Sequence, residues 1–98
     1  MSDLTRPEVL IKISISSGNL SGVNFSQHDL RGINLEEANL EGTRLSSANL
    51  TNANLTNANL TGADLTRANL LGATLTGVDL SNADLTGANL DEVIGYKK

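Results

Sequence analysis

Every fifth residue from Ile15 onward is large and apolar: Ile15, Leu20, Phe25 and Leu30, then Leu35, Leu40, Leu45, Leu50, Leu55, Leu60, Leu65, Leu70, Leu75, Leu80, Leu85 and Leu90. No insertion or deletion breaks this register. Two positions before the large residue stands a small one, mostly Ala, as at 38, 48, 53, 58, 63, 68, 73, 83 and 88. Asn or Asp usually lies between the two. Ser or Thr follows the large residue, and then often Gly or Asn. The central stretch "ANLTNANLTNANLTGADLT" therefore contains no reactive side chain.

A period of five fits neither common element. On an α-helix, at about 100° per residue, successive leucines fall roughly 140° apart and scatter around the cylinder. On a straight strand, odd spacing sends alternate leucines to opposite faces. All of them point one way only if the chain turns once in every five residues. Four turns of roughly 90° close a square coil of about twenty residues, and coils of this kind stack at the strand spacing of ~4.8 Å. Residues 13–92 then make sixteen units, or four coils.

The A(D/N)LXX pattern resembles that of the pentapeptide repeat family, over sixteen consecutive units of residues 13–92. The resemblance implies an all-β fold, a right-handed quadrilateral parallel β-helix. The Leu position and the small position two earlier face inward, and the other three face solvent. Ile13, Gly18, Val23, His28, Ile33, Thr43 and Val78 depart from Ala at the small inward position. With twenty residues per coil, Asn39 stacks on Asn59, and Asn49, Asn69 and Asn89 share a column that can form amide ladders. The glycines at 22, 42, 62, 72, 77 and 87 fall at the corners, where positive φ is useful.

The ends of a solenoid leave backbone edges and apolar faces open. Thr5-Arg6-Pro7-Glu8 reads as a capping box with Pro in the first helical turn, so residues 1–12 are expected to form a short helical or irregular cap. Residues 93–98 are too few for a helical lid. Either Val93 to Tyr96 fold over the last coil, or that end stacks on another chain; the open stacking end is the favoured expectation. A head-to-head homodimer would hide it by two-fold symmetry. A different repeat chain continuing the stack would hide it equally well.

Composition narrows the function. The chain is 98 residues with no Cys and no Trp, and Phe25 and Tyr96 are its only aromatic residues besides His28. Thiol catalysis, disulfides and thiolate metal sites are thereby excluded. No apolar run approaches the ~20 residues of a membrane span. The start lacks the pattern of a secretory leader, so a cytoplasmic location is expected. Residues 13–92 carry nine carboxylates against Arg31, Arg44 and Arg67, a balance of −6. Direct nucleic-acid binding needs the opposite sign.

No Gly-rich phosphate loop, nucleophile elbow or calcium loop is present. Neither catalytic nor metal-ligating residues nor a cofactor are expected. His28 stands beside Asp29 but in an inward slot, where it fills space or swings to the surface. The hydroxyl column of Ser26, Ser46, Thr66 and Thr86 reads as solvated strand surface, and the Asn-Leu-Thr triplets at 49, 54 and 59 as by-products of the repeat. What remains is a non-enzymatic structural or protein-interaction module. Its partner would bind the flat faces or the C-terminal end. Glu36, Glu37, Glu41, Asp64, Asp84, Val93, Ile94 and Tyr96 are the candidate interaction residues. The resemblance also raises an alternative: some family members mimic DNA before a type II topoisomerase such as DNA gyrase, and Asp64 and Asp84 share an outward column.

Overall fold

The structure, a computed structural model, describes residues 18–96. The expected cap over residues 1–12, together with Ile13, Ile15, Lys97 and Lys98, lies outside the described residues. Within them the chain winds as four stacked square coils, residues 18–37, 38–57, 58–77 and 78–96.

Each five-residue unit turns a corner because the carbonyl of its large residue accepts a hydrogen bond from the N–H three residues on. Ala53 N donates to Leu50 O at 2.9 Å and Ala58 N to Leu55 O at 2.9 Å, and the same bond recurs from Val23 to Val93. The second central residue of every such turn has positive φ, at each fifth position from Gly22 to Glu92. Positive φ there and not at the preceding residue is the sign pattern of a type II turn. Gly supplies it without steric cost, and Asn52, Asn57 and Asn82 tolerate it. Gln27, Glu37, Ser47, Arg67 and Glu92 adopt it too.

Coils join through parallel bridges between residues twenty apart. The first face carries Asn19, Asn39, Asn59 and Asp79. The second carries Asn24, Arg44, Asp64 and Asp84, the third Asp29, Asn49, Asn69 and Asn89, and the fourth Asn34, Asn54, Thr74 and Ile94. A mid-stack unit bonds in both directions. Leu55 N donates to Thr74 O of the next coil at 2.9 Å, while Asn54 N donates to Ile33 O of the previous one at 2.9 Å.

The Asn or Asp of each unit has a local task that the stacking pattern alone does not reveal. Its Oδ1 accepts the N–H two residues on: Thr56 N donates to Asn54 Oδ1 at 3.1 Å and Thr86 N to Asp84 Oδ1 at 3.0 Å. The hydroxyl of a following Thr donates to the same atom, at 2.6 Å for Thr56 and Thr86 and 2.7 Å for Thr66. One acceptor oxygen is needed and no amide donor, so Asn and Asp interchange at this position, and Ser or Thr follows two residues later. The expected amide ladders form in part, with Asn89 Nδ2 3.3 Å from Asn69 Oδ1 and the Asn39–Asn19 and Asn54–Asn34 pairs at 3.5 Å.

Leu and Ala fill the axis. Leu50, Leu55, Leu60, Ala48 and Ala53 are wholly removed from water. The bulkier early positions also point inward. Ile33 is buried, Thr43 is wholly buried with its hydroxyl donating to Leu40 O at 2.8 Å, and His28 is 6% exposed. The last coil departs from the expected core. Leu80, Leu85 and Leu90 keep the inward register but are only half-buried, as are Val78, Ala83, Ala88 and Val93. Their repeat is unchanged; what they lack among the described residues is a neighbouring coil below.

Candidate functional site

The C-terminal coil gathers what the rest of the solenoid hides. Leu80, Leu85 and Leu90 sit on three successive sides with their side chains partly in water. Their N–H groups, which mid-stack would donate to the next coil, meet no acceptor among the described residues, and the carbonyls of Val78, Ala83 and Ala88 accept nothing there. An apolar centre and an unpaired backbone edge thus coincide at one end.

Where the sixteenth large apolar residue, Leu90, would be followed by another, the sequence has Gly95. Its φ is +83°, and a Cβ there would lie 2.7 Å from Thr76 Cα and 2.9 Å from Thr76 N. Any side chain would strike backbone, so glycine is required for the chain to pass this close. Beyond it Tyr96 is half-buried and packs against the hydrophobic core. Ile94 takes the outward position that Asn, Asp, Thr or Arg fills on every other unit, and it is 57% exposed. Leu71, one coil up, stands in the outward column otherwise held by Arg31, Thr51 and Asp91. Of the candidate residues of the last coil, Val93 and Tyr96 are half-buried and Ile94 is exposed on the fourth face. Leu80, Leu85, Leu90 and Gly95 share that coil with them, and the loss of Leu at 95 is what signals it in the sequence.

The acidic candidates do not converge. Glu36 and Glu37 occupy the corner between the fourth and first faces, Glu41 the corner between the first and second, all exposed. Asp64 and Asp84 lie on the second face, bridged in one ladder with Arg44 above them. Hydrogen bonds from the Ser81 hydroxyl and N–H hold Asp79 below its ordinary carboxylate pKa; those from Thr86 do the same for Asp84. Asp29 is bound bidentately by Arg31, Nε to Oδ1 at 2.8 Å and Nη2 to Oδ2 at 2.9 Å, which raises the Arg31 pKa. His28 points into the coil. Its Nδ1 lies 3.2 Å from Ser26 O, an acceptor, and its ring meets Phe25 edge to face at 6.0 Å between centroids. Among the described residues no cluster of His, Asp or Glu could hold a metal ion, and no helix is long and apolar enough to cross a membrane.

A four-sided stack of parallel coils, with one corner per five residues and Leu at each inward step, defines a right-handed parallel β-helix of quadrilateral section. The chain belongs to the pentapeptide repeat family, whose profile matches eight copies over residues 19–57 and 53–91. It is 46% identical to a pentapeptide repeat protein, Rfr23, from the cyanobacterium Cyanothece 51142, over 80% of this chain and 60% of that one, with a TM-score of 0.50. A pentapeptide repeat protein from Nostoc, alr5209, aligns over 95% of this chain and 88% of its own with a TM-score of 0.54 and 24% identity. HetL of Nostoc, involved in heterocyst differentiation regulation, is 35% identical over 82% of this chain and 40% of its own length, with a TM-score of 0.48. The chain thus spans less than two thirds of the Cyanothece protein and of HetL. No protein of curated function matches it.

Proposed function

We propose that this chain is a non-enzymatic interaction module that binds a protein partner through its open C-terminal coil. The observation that carries this reading is the contrast along the axis. Leu50 and Leu55 are wholly buried by coils on both sides, whereas Leu80, Leu85 and Leu90, with the same repeat around them, are half-exposed beside N–H groups that are unpaired among the described residues. An apolar surface joined to a free sheet edge is a template for pairing with another chain. A second copy or a different repeat chain would both supply what the edge lacks.

The lateral faces support the reading by contrast. They are polar, their Asn and Asp oxygens are already engaged within their own units, and their charges are dispersed. Affinity capture from the source lysate with the intact chain, Leu85→Asp and Glu36→Gln/Glu41→Gln tests it. The partner should be lost with the first variant and kept with the second; the reverse result would move the site to the lateral faces. DNA mimicry before gyrase predicts inhibition of supercoiling that Asp64→Asn/Asp84→Asn abolishes. With Arg44 in that ladder and the other acids on other faces, the expected result is supercoiling untouched at several-fold molar excess.

A further inference from the structure

The rim of the open coil names the kind of partner that fits it. Around the half-buried leucines stand Asp79 on the first face, Asp84 on the second, and Asp91 and Glu92 at the corner between the third and fourth, all exposed. Residues 76–96 contain no Lys or Arg. Lys97 and Lys98, outside the described residues, offset at most two of the four charges.

The backbone edge constrains shape. The N–H groups of Leu80, Leu85 and Leu90, unpaired among the described residues, lie on three successive sides of the square. A single extended strand reaches one side, and an α-helix has free carbonyls only in its last turn. The end of another β-coil offers carbonyls along several sides at once. The charge on the rim then separates a copy of this chain from a foreign one. This chain's first described coil offers little apolar surface, since Leu20, Phe25 and Leu30 are no more than 1% exposed and only Val23 is part-exposed. Its last coil would bring a second set of four carboxylates against the first, and like charges facing across an interface oppose association. Within the stack, opposite signs already stand one coil apart on the second face, where Arg44 and Asp64 are backbone ladder neighbours.

We infer that the C-terminal coil is a docking platform for the open end coil of a different β-solenoid, apolar at its centre and rimmed by Lys or Arg. This rests on the reading of the end as the interaction surface and adds the partner's chemistry. The recognition is short-ranged apolar contact at the centre and salt-sensitive steering at the rim.

The probe is a rim-reversed copy of this chain, carrying Asp79→Lys, Asp84→Lys, Asp91→Lys and Glu92→Lys, mixed with the unaltered full chain. Arg44 and Arg67 already occupy equivalent positions, so basic residues fit there. Asp91→Lys/Glu92→Lys alone serves as a second probe, since it keeps the oxygens of Asp79 and Asp84 that bind Ser81 and Thr86. Analytical ultracentrifugation should find each protein monomeric by itself at about 0.01 M salt, where the Debye length is ~30 Å. The equimolar mixture should form a one-to-one complex at least ~tenfold tighter than either self-pair, fading toward 1 M salt, where the length is ~3 Å. Leu85→Asp in the unaltered chain should abolish it, and Ile94→Lys, outward and unable to disturb the core, should weaken it severalfold. Self-association of the unaltered chain as tight as the mixture would overturn the inference and leave the end as an interaction surface for a second copy. Absence of any complex between two folded proteins, checked by cooperative unfolding, would overturn it as well. A complex that forms but ignores both Leu85→Asp and Ile94→Lys would sink the underlying reading of the end itself.

Discussion

Leu55 and Leu85 sit in nearly identical sequence, "ANLTN" and "ADLTG", and adopt the same corner, yet one is wholly buried and the other half-exposed. The unit around each is complete: the turn bond, the Oδ1 contact and the inward Leu are present in both. What differs is the coil below. In this solenoid local structure belongs to the five-residue unit, and burial belongs to the stack. Conformation and stability are therefore set by different distances along the chain, five residues for one and twenty for the other.

Hydrogen exchange breaks or sharpens that comparison with the largest expected effect. The N–H groups of Leu55, Leu60 and Leu65 donate to the next coil at 2.8–2.9 Å and should exchange only on global unfolding. Those of Leu80, Leu85 and Leu90 should exchange orders of magnitude faster in the isolated chain. Equal protection along the axis would mean the end is covered in solution. In urea unfolding, Leu55→Ala should cost about 2–5 kcal/mol through its cavity. Leu85→Ala should cost less than half as much, because partial exposure leaves less transfer energy to lose. If the two cost the same, the last coil is packed as tightly as the middle.

A smaller difference is expected at the corners. Asn54→Ala removes the acceptor for both Thr56 N and Thr56 Oγ1 in a half-buried setting and should cost about 0.5–1.5 kcal/mol, while Asn54→Asp should be nearly silent. Loss on Asn54→Asp as large as on Asn54→Ala would restore the amide ladder to first importance. The smallest effect is a pH dependence confined to the end. Asp79 and Asp84 have folded pKa values lowered from 3.8 by the hydroxyl and N–H bonds of Ser81 and Thr86. The stability they contribute is fully present above the unfolded value and is lost as pH falls through the lowered one. Acid should loosen the last coil first. Tyr96, the chain's single tyrosine, reports this through iodide quenching of its fluorescence, and quenching that stays flat below pH 3.8 would count against it.

The fold was legible because a period of five admits one geometry: Leu cannot share a face unless the chain turns at every unit. The inward slot of His28 and Thr43 was legible for the same reason. For His28 register left open whether the ring fills the interior or swings to the surface, and the structure buries it. The role of Asn and Asp was misweighted. Stacking columns suggested amide ladders, whereas the repeated Ser or Thr two residues on, and the free exchange of Asp for Asn, pointed to a single local acceptor. The half-exposure of Leu80, Leu85 and Leu90 was not legible at their own positions, because their repeats look like all the others. Only Gly95 in a Leu slot marked the last coil. The dispersal of Glu36, Glu37 and Glu41 from Asp64 and Asp84 follows from counting faces, which the linear clustering of the first three obscures.

The corner bond closes within one unit, whereas every face is assembled from residues twenty apart. An insertion of five residues would therefore preserve each turn and each inward Leu, yet rotate everything downstream by a quarter turn. Asp84 would leave the ladder of Arg44 and Asp64 and appear one side further round. Only multiples of twenty lengthen the molecule without rewriting its surface. The fold thus tolerates growth in small steps while its surface pattern is inherited in whole coils, so a lineage of such chains can change what its sides display without changing a single residue type.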